Sequence, residues 1–385
     1  MTTKSKRLFK SKIFQEFIES EKSGGIVLVF CTIISLLISN SEFSTAYHHF
    51  WSSQLFNESI EYWINDGLMV IFFLLIGLEL EREVYQGELS RFKEALFPIL
   101  GALGGMLIPA LVYFYFNYNF ESISGIGIPM ATDIAFALGV LSLVGKKVPL
   151  SLKIFLTALA VIDDLGAILV IAIFYTKTLQ WNYLLLALSV FAILLLLNRL
   201  KINKLFPYLI GGIFMWYFML HSGVHATITG VLLAFAIPFG KGTENSISIQ
   251  LQKALHYPVA FLILPIFALA NTSITISSET LNSFTQPYSL GIFFGLLIGK
   301  PIGIFLLAFL AVKIKICTLP QNISWSMLFS VAILGGIGFT MSIFITLLAF
   351  NHSEIINNSK FIILISSFCA GLIGYAAVQL SCKNK

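Results

Sequence analysis

Charge is what this chain has least of. Only 11% of its 385 residues are Asp, Glu, Lys or Arg, where a soluble domain carries about 25%. A globule of this size cannot be covered with so little polar surface, which excludes a water-soluble domain. Its four cysteines (Cys31, Cys317, Cys369 and Cys382) show no CxxC or paired spacing, so neither a zinc site nor a disulfide framework is expected. No stretch has the composition of a soluble insertion, a low-complexity region or a Gly-rich nucleotide-binding loop. Of the histidines, His48, His49, His221 and His352 have no spacing that suggests a role.

What the chain does contain is apolar sequence, 57% of all residues. Stretches of the roughly 17–25 residues that carry a helix across a hydrocarbon core of about 30 Å recur along its whole length. The reading is an all-α polytopic membrane protein forming one transporter domain over 1–385. Twelve segments are expected, near 24–39, 60–80, 95–116, 126–144, 150–175, 182–198, 205–220, 223–239, 254–271, 289–312, 326–350 and 360–382.

Lys and Arg sort cleanly on that count. With the basic N-terminus (Lys4, Lys6, Arg7, Lys10, Lys12, Lys22) inside, alternate loops hold Arg82, Arg91 and Lys93; Lys146, Lys147 and Lys153; Arg199, Lys201 and Lys204; Lys241 and Lys253; Lys313 and Lys315; and the tail Lys383 and Lys385. Two fall outside, Lys177 and Lys360, and Lys300 falls within a span. Excess positive charge marks cytoplasmic loops, so both termini are expected in the cytoplasm. The net charge of +5 is thereby explained without a nucleic-acid partner. The first segment follows a long basic arm and precedes no small-x-small cleavage site, so it is expected to be an uncleaved helix rather than a signal peptide.

Four ionisable residues lie deep. In AVIDDLGAIL (160–169), Asp163 and Asp164 stand side by side with Lys153 the nearest basic residue. If Lys153 marks the membrane edge, Asp163 lies about 15 Å further in at 1.5 Å per residue, near the midplane. Lys300 is central in 289–312, and Asp133 lies inside 126–144. Each such charge costs about 2.5–3.5 kcal/mol at a helix centre. A buried ion pair could account for one Asp with Lys300, but at least one carboxylate is left over, and intramembrane charges face ion or water paths as a rule. Neighbours on a helix point about 100° apart, so the two aspartates can border one cavity from different walls and titrate as a coupled unit. H⁺ and a small hard cation compete for the same oxygens, so one site can exchange them.

Two segments carry helix breakers in mid-span. GIGIPMATD (125–133) places Pro129 before Thr132 and Asp133; ILGGIGFTMS (333–342) clusters Gly335, Gly336 and Gly338. Freed backbone at that depth must line a cavity or be buried, although close helix packing explains glycines equally well. Opposed half-helix ends expose partial charges, which Asp133 can neutralise at N-termini and Lys300 at C-termini. The interrupted segments are fourth and eleventh, the middles of triplets 3–5 and 10–12 that enter the membrane from opposite sides. An inverted-topology repeat is expected on that ground, although only Gly127…Thr132 and Gly335…Thr340 line up between the halves.

The stretches GLELERE (77–83), GIPMATDIAFALG (127–139), TALAVIDDLGAI (157–168), HSGVHATITG (221–230), LLIGKPIG (296–303) and LGGIGFTMSIF (334–344) together resemble the NhaA sodium/proton antiporter family, over essentially the whole chain. The resemblance implies electrogenic export of Na⁺ or Li⁺ across a bacterial inner membrane, driven by more than one inward H⁺, with no cofactor and regulated by pH. It assigns the cation and proton to Asp164 and Asp163, helix-end compensation to Asp133 with Thr132, and the balancing cation to Lys300. Glu79, Glu83 and His256 stand where pH-response residues are expected near a cytoplasmic funnel, and His225 toward the outer end of the eighth span. The chain departs from many relatives at Leu251-Gln252-Lys253, where Gln252 replaces an acidic residue. The external segment 41–59 would form a β-hairpin that pairs across a homodimer.

Two other readings compete. An intramembrane aspartyl protease also needs two membrane aspartates, but on separate helices in YD and GxGD contexts that do not occur here. A sodium-coupled solute symporter would use the same carboxylates to drag an organic substrate.

Overall fold

A computed structural model describes residues 23–176, 178–240 and 242–383. The basic arm (Lys4, Lys6, Arg7, Lys10, Lys12, Lys22), Lys177, Lys241 and Lys385, which contribute to the charge sorting, lie outside the described residues.

The chain is helical almost throughout. Helix α1 (Ser23–Ser39) leads through α2 (Ser44–Ser52) to a two-residue ladder in which β1 (Gln54–Leu55) pairs antiparallel with β2 (Glu58–Ser59), Gln54 opposite Ser59. The turn residues Phe56 and Asn57 have φ of 52° and 70°, the left-handed pair that lets a two-residue loop follow strand twist. Then come α3 (Ile60–Gln86), α4 (Phe92–Asn117), the tight 3₁₀ segment α5 (Glu121–Met130), α6 (Ile134–Leu143), α7 (Leu150–Phe174), α8 (Trp181–Arg199), α9 (Leu205–Ser222) and α10 (Ile228–Ala236). The second half holds α11 (Ile247–Asn271), α12 (Pro287–Lys313), α13 (Trp325–Gly335), α14 (Phe339–Ala349) and α15 (Ser353–Lys383).

Among the described residues eight helices are long and apolar enough to cross a membrane, or up to eleven if each bent pair is one span. The bends are 42° between α5 and α6 and 45° between α13 and α14, at the two segments whose Pro and Gly content predicts interruption; α1 and α2 meet at 116°. The predicted eighth segment, 223–239, is the shortfall: α10 has nine helical residues. Gly223 ends α9 with φ +85°, and Ile237, which precedes Pro238, is extended at ψ 135°, as a residue before proline prefers. A hydropathy window registers the apolar run but not these stops.

Burial orders the helices around α7. Its apolar window is 67% buried, against 11% for α8 and 28% for α9, so α7 runs through the centre and α8 and α9 present their surfaces outward. Lipid tails are as apolar as Leu, so packing rather than water exclusion joins such helices. Two glycine seams supply it. On α4 and α12, Gly104 and Gly303 lie against each other's carbonyls, Gly105 meets Ile304 at 2.8 Å, and Gly299 meets Pro109 at 2.9 Å from where a Cβ would stand. On α3 and α10, Gly77 leaves 2.6 Å to Ala234, and Gly230 faces the Val70 carbonyl. The first seam fixes the height of Lys300, which follows a π-helical turn, Gly295–Gly299.

Gly303→Val is expected to wedge α4 from α12, costing about 1–3 kcal/mol by overpacking. Thermal unfolding of purified protein should show a lowered midpoint, while Leu306→Val, at a residue 39% exposed, should barely move it. Equal midpoints would contradict the backbone contact.

Candidate functional site

Asp163 and Asp164 both have 0% exposure, on α7. Asp163 Oδ2 accepts from Thr132 Oγ1 at 2.8 Å and lies 2.9 Å from Lys300 Nζ. Lys300, also at 0%, donates in addition to the Met130 carbonyl, the last residue of α5. The opposite oxygen of Asp163 and both oxygens of Asp164 are buried without a hydrogen-bond partner among the described residues. Asp164 lies in the field of three other carboxylates, Asp163, Asp133 and Glu79, and one ammonium, Lys300.

The two helix breaks cross beside this pair. Pro129 brings no N–H to α5, and Ala131 is extended at ψ 150°, so the ladder stops before Thr132. Gly336 sits against the Leu296 carbonyl, where a side chain would collide. Across the crossing, Asp133 N donates to Ile337 O at 2.7 Å, and Ser342 Oγ donates to Ile128 O at 2.7 Å. Thr132 Oγ1 is also 2.9 Å from the Gly335 carbonyl, the last residue of α13.

The helix ends are neutralised by side chains. Asp133 Oδ1 accepts from Phe136 N at 2.9 Å, capping its own helix α6. Oδ2 accepts from Thr340 N at 3.1 Å and from Thr340 Oγ1, in the first turn of α14. One carboxylate therefore serves two N-termini, where negative charge is favoured. Lys300 stands at a C-terminus, where positive charge is favoured.

The remaining sequence-predicted residues separate into two places. Glu79 is 5% exposed and within electrostatic reach of Arg82, Glu83 and Gln252. Glu83 pairs with Arg82 at 3.2 Å, and His256 lies in the field of Arg82. These four thus gather at the junction of α3 and α11. His225 is elsewhere: Nε2 is 3.1 Å from Asp66 Oδ1, Nδ1 is 2.7 Å from Thr227 Oγ1, and its ring lies edge-on to Phe344 at 5.4 Å.

Several participants do not follow from sequence reading. Thr340 is one, although it stands where Thr132 stands in the aligned motifs. Glu81 is 4% exposed and accepts from Ser248 Oγ at 2.9 Å. Asp66 and the Met130 carbonyl have no local sequence signal. Lys360, expected as an external charge, is 4% exposed. Among the described residues no three His, Cys, Asp or Glu converge to hold a metal ion.

An ionised carboxylate in apolar surroundings without a donor is unstable until it takes a proton or a cation. Hard cations prefer oxygen ligands, and the unpartnered oxygens here are those of Asp164 and one of Asp163.

Asp133→Ala is expected to strand the Phe136 and Thr340 amides and cost about 1–2 kcal/mol per lost cap. Asp133→Asn, which keeps one acceptor oxygen, should recover part of the fall in thermal midpoint. Identical losses for the two variants would contradict the capping role.

Comparison with known proteins points the same way. Residues 15–378 match the family model described as Na+/H+ antiporter 1. A protein of Flavobacterium psychrophilum named Na(+)/H(+) antiporter NhaA is 65% identical over 372 residues, 97% of each chain. A protein of the same name from Cytophaga hutchinsonii is 59% identical over 374 residues, again 97% of each. Another from Dechloromonas aromatica is 58% identical over 378 residues, 97% of each.

Proposed function

The chain belongs to the Na⁺/H⁺ antiporter family, transporters rather than enzymes, and from that premise we propose that Asp164 and Asp163 are where Na⁺ and H⁺ are exchanged. The observation that carries this is the pair of buried Asp164 oxygens without a donor, next to an Asp163 that Lys300 holds at 2.9 Å. With a proton on each carboxylate, neither aspartate carries a bare negative charge in its apolar surroundings. When the site opens to cytoplasmic water and the protons leave, Na⁺ or Li⁺ replaces them on the oxygens. Opening to the other side reverses the exchange.

Release of a proton from each carboxylate to admit one monovalent cation moves one net charge per cycle, so transport is electrogenic. Lys300 balances Asp163 when Asp164 holds the cation. Asp133 and Thr132 hold the crossed breaks and are not exchange sites. Glu79, Glu83 and His256, with Gln252 beside them, cluster at the junction of α3 and α11, the basis for pH regulation; His225 belongs to the opposite end of the molecule.

The charge sorting supports cytoplasmic termini, a bacterial inner-membrane location and twelve spans, with α10 the core of the eighth. The matching breaks support an inverted repeat of spans 3–5 and 10–12. The hairpin of β1 and β2 offers open strand edges to a second copy, which favours a homodimer through 41–59.

In everted vesicles with an acid interior, adding Na⁺ or Li⁺ should dissipate the pH gradient reported by a fluorescent amine. Asp164→Asn is expected to abolish that response while inserting at normal levels. A normal response in the variant, or a native response that needs an organic co-substrate, would refute the assignment. Purified protein in liposomes should generate a voltage during exchange and run faster when valinomycin and K⁺ dissipate it; rates indifferent to the clamp would refute the two-proton cycle.

A further inference from the structure

Lys360 lies in the second turn of α15, yet its ammonium is withdrawn from water. Its partner is Glu61, in the first turn of α3, with Oε1 at 3.5 Å from Nζ; the lysine side chain is 6% exposed and the glutamate 35%. A buried ammonium is costly unless paired, so the carboxylate at the water's edge holds α3 against α15.

The same two turns of α3 make further ties. Asn65 Oδ1 accepts from Asn271 Nδ2 of α11 at 2.8 Å. Asp66 pairs with His225, just before α10, and its carbonyl accepts from Trp216 Nε1 of α9 at 2.9 Å. Between Glu61 and the body of α3 the helical ladder is loosened into a π-turn, Ile64–Leu68, a feature frequent at functional sites. Around Gly67 there is open room, the nearest atom being a Trp63 ring carbon at 4.0 Å from a Cβ position.

Beneath the ties lies an aromatic layer. The Phe344 ring on α14 is 5.4 Å from Phe73, 5.4 Å from His225 and 6.4 Å from Phe267. Phe344 is four residues past Thr340, hence about 6 Å along the axis from the crossed breaks. A path from hairpin-side water to the aspartates between these helices meets the ties first and Phe344 second. Of the ties, Glu61–Lys360 joins two full charges whatever the state of His225.

We propose that the Glu61–Lys360 ion pair is the hairpin-side latch of the transport cycle: it holds α3 to α15 while the aspartates face the other side, and it parts before they exchange ions with hairpin-side water. The inference rests on Na⁺/H⁺ exchange at those aspartates. Weakening the latch raises the fraction of protein open to the hairpin side, and apparent affinity scales with the competent fraction.

The test is Na⁺-dependent exchange in liposomes with the protein in one orientation, with Na⁺ varied on each side in turn. For Glu61→Gln and Lys360→Gln, half-saturating Na⁺ on the hairpin side is expected to fall at least threefold, while on the other side it holds or rises. The charge-reversed pair, Glu61→Lys with Lys360→Glu, should return both to native values. A pair that only stabilises the fold would lower the maximal rate without this sidedness. Should the single variants fail to assemble, Glu61→Asp, which keeps the charge and widens the gap, carries the same expectation. Unchanged half-saturation, equal shifts on both sides, or no recovery in the reversed pair would overturn the latch. Native exchange alongside any of these results leaves the exchange site standing, so the two ideas fail separately.

Discussion

Backbone that leaves its helix inside an apolar bundle must find hydrogen bonds from something other than water, and the centre of this protein is arranged around that demand. Two helices break at the same depth and cross, so their loose ends partly satisfy each other: the amide of Asp133 reaches the carbonyl of Ile337, and the hydroxyl of Ser342 the carbonyl of Ile128. What remains is four half-helix ends with their partial charges. One carboxylate is committed to two of them through Phe136 and Thr340, and one ammonium to a third through Met130. Asp133 has no oxygen left over for an ion.

The two adjacent aspartates differ in their partners. Asp163 shares Lys300 with the end of α5, and shares Thr132 with the end of α13. Thr132 has one hydroxyl proton and two acceptors in range, so it can donate to Asp163 or to Gly335 but not fully to both. A change of charge on Asp163 therefore alters what the broken backbone receives. Neither oxygen of Asp164 has a hydrogen-bond partner among the described residues. In the proposed exchange Asp164 supplies the oxygens that take the ion, and Asp163 links the site's charge to the helix breaks.

Composition and spacing were enough to reach the membrane-spanning helices, the burial of the two aspartates and of Lys300, and the two interruptions, because each of these is a local property: an apolar run, a residue count, a proline. They did not reach partnerships. That Lys300 meets Asp163 rather than Asp164, that Thr340 shares the Asp133 carboxylate, or that Glu81 meets Ser248 depends on residues 137 to 207 positions apart brought together by packing. The burial of Lys360 was not legible for a related reason. Charge sorting assumes a lysine near a helix end reaches water, whereas a glutamate from another helix can take the place of water. The eighth segment was overlong because apolarity continues through Gly223 and Pro238, where the helix does not.

The contacts between helices are of two kinds, and the difference bears on what can move. Within the pairs α4–α12 and α3–α10, glycines bring backbone against backbone. No side chain there can rotate to relieve a shift, and no water can substitute for the lost contact. Around α3 polar side chains make further joints: Glu61 to Lys360, Asn65 to Asn271, Glu81 to Ser248 and Gln86 to the Gly242 carbonyl. Such bonds can be traded for water as they part. In the proposed cycle the seams keep each pair together, and the polar joints at both ends of α3 are where neighbours part. A transport site that must open to two sides in turn needs that contrast. The same helix that carries Glu79 within the field of Asp164 also carries Glu61 at its far end, with the π-turn Ile64–Leu68 between them.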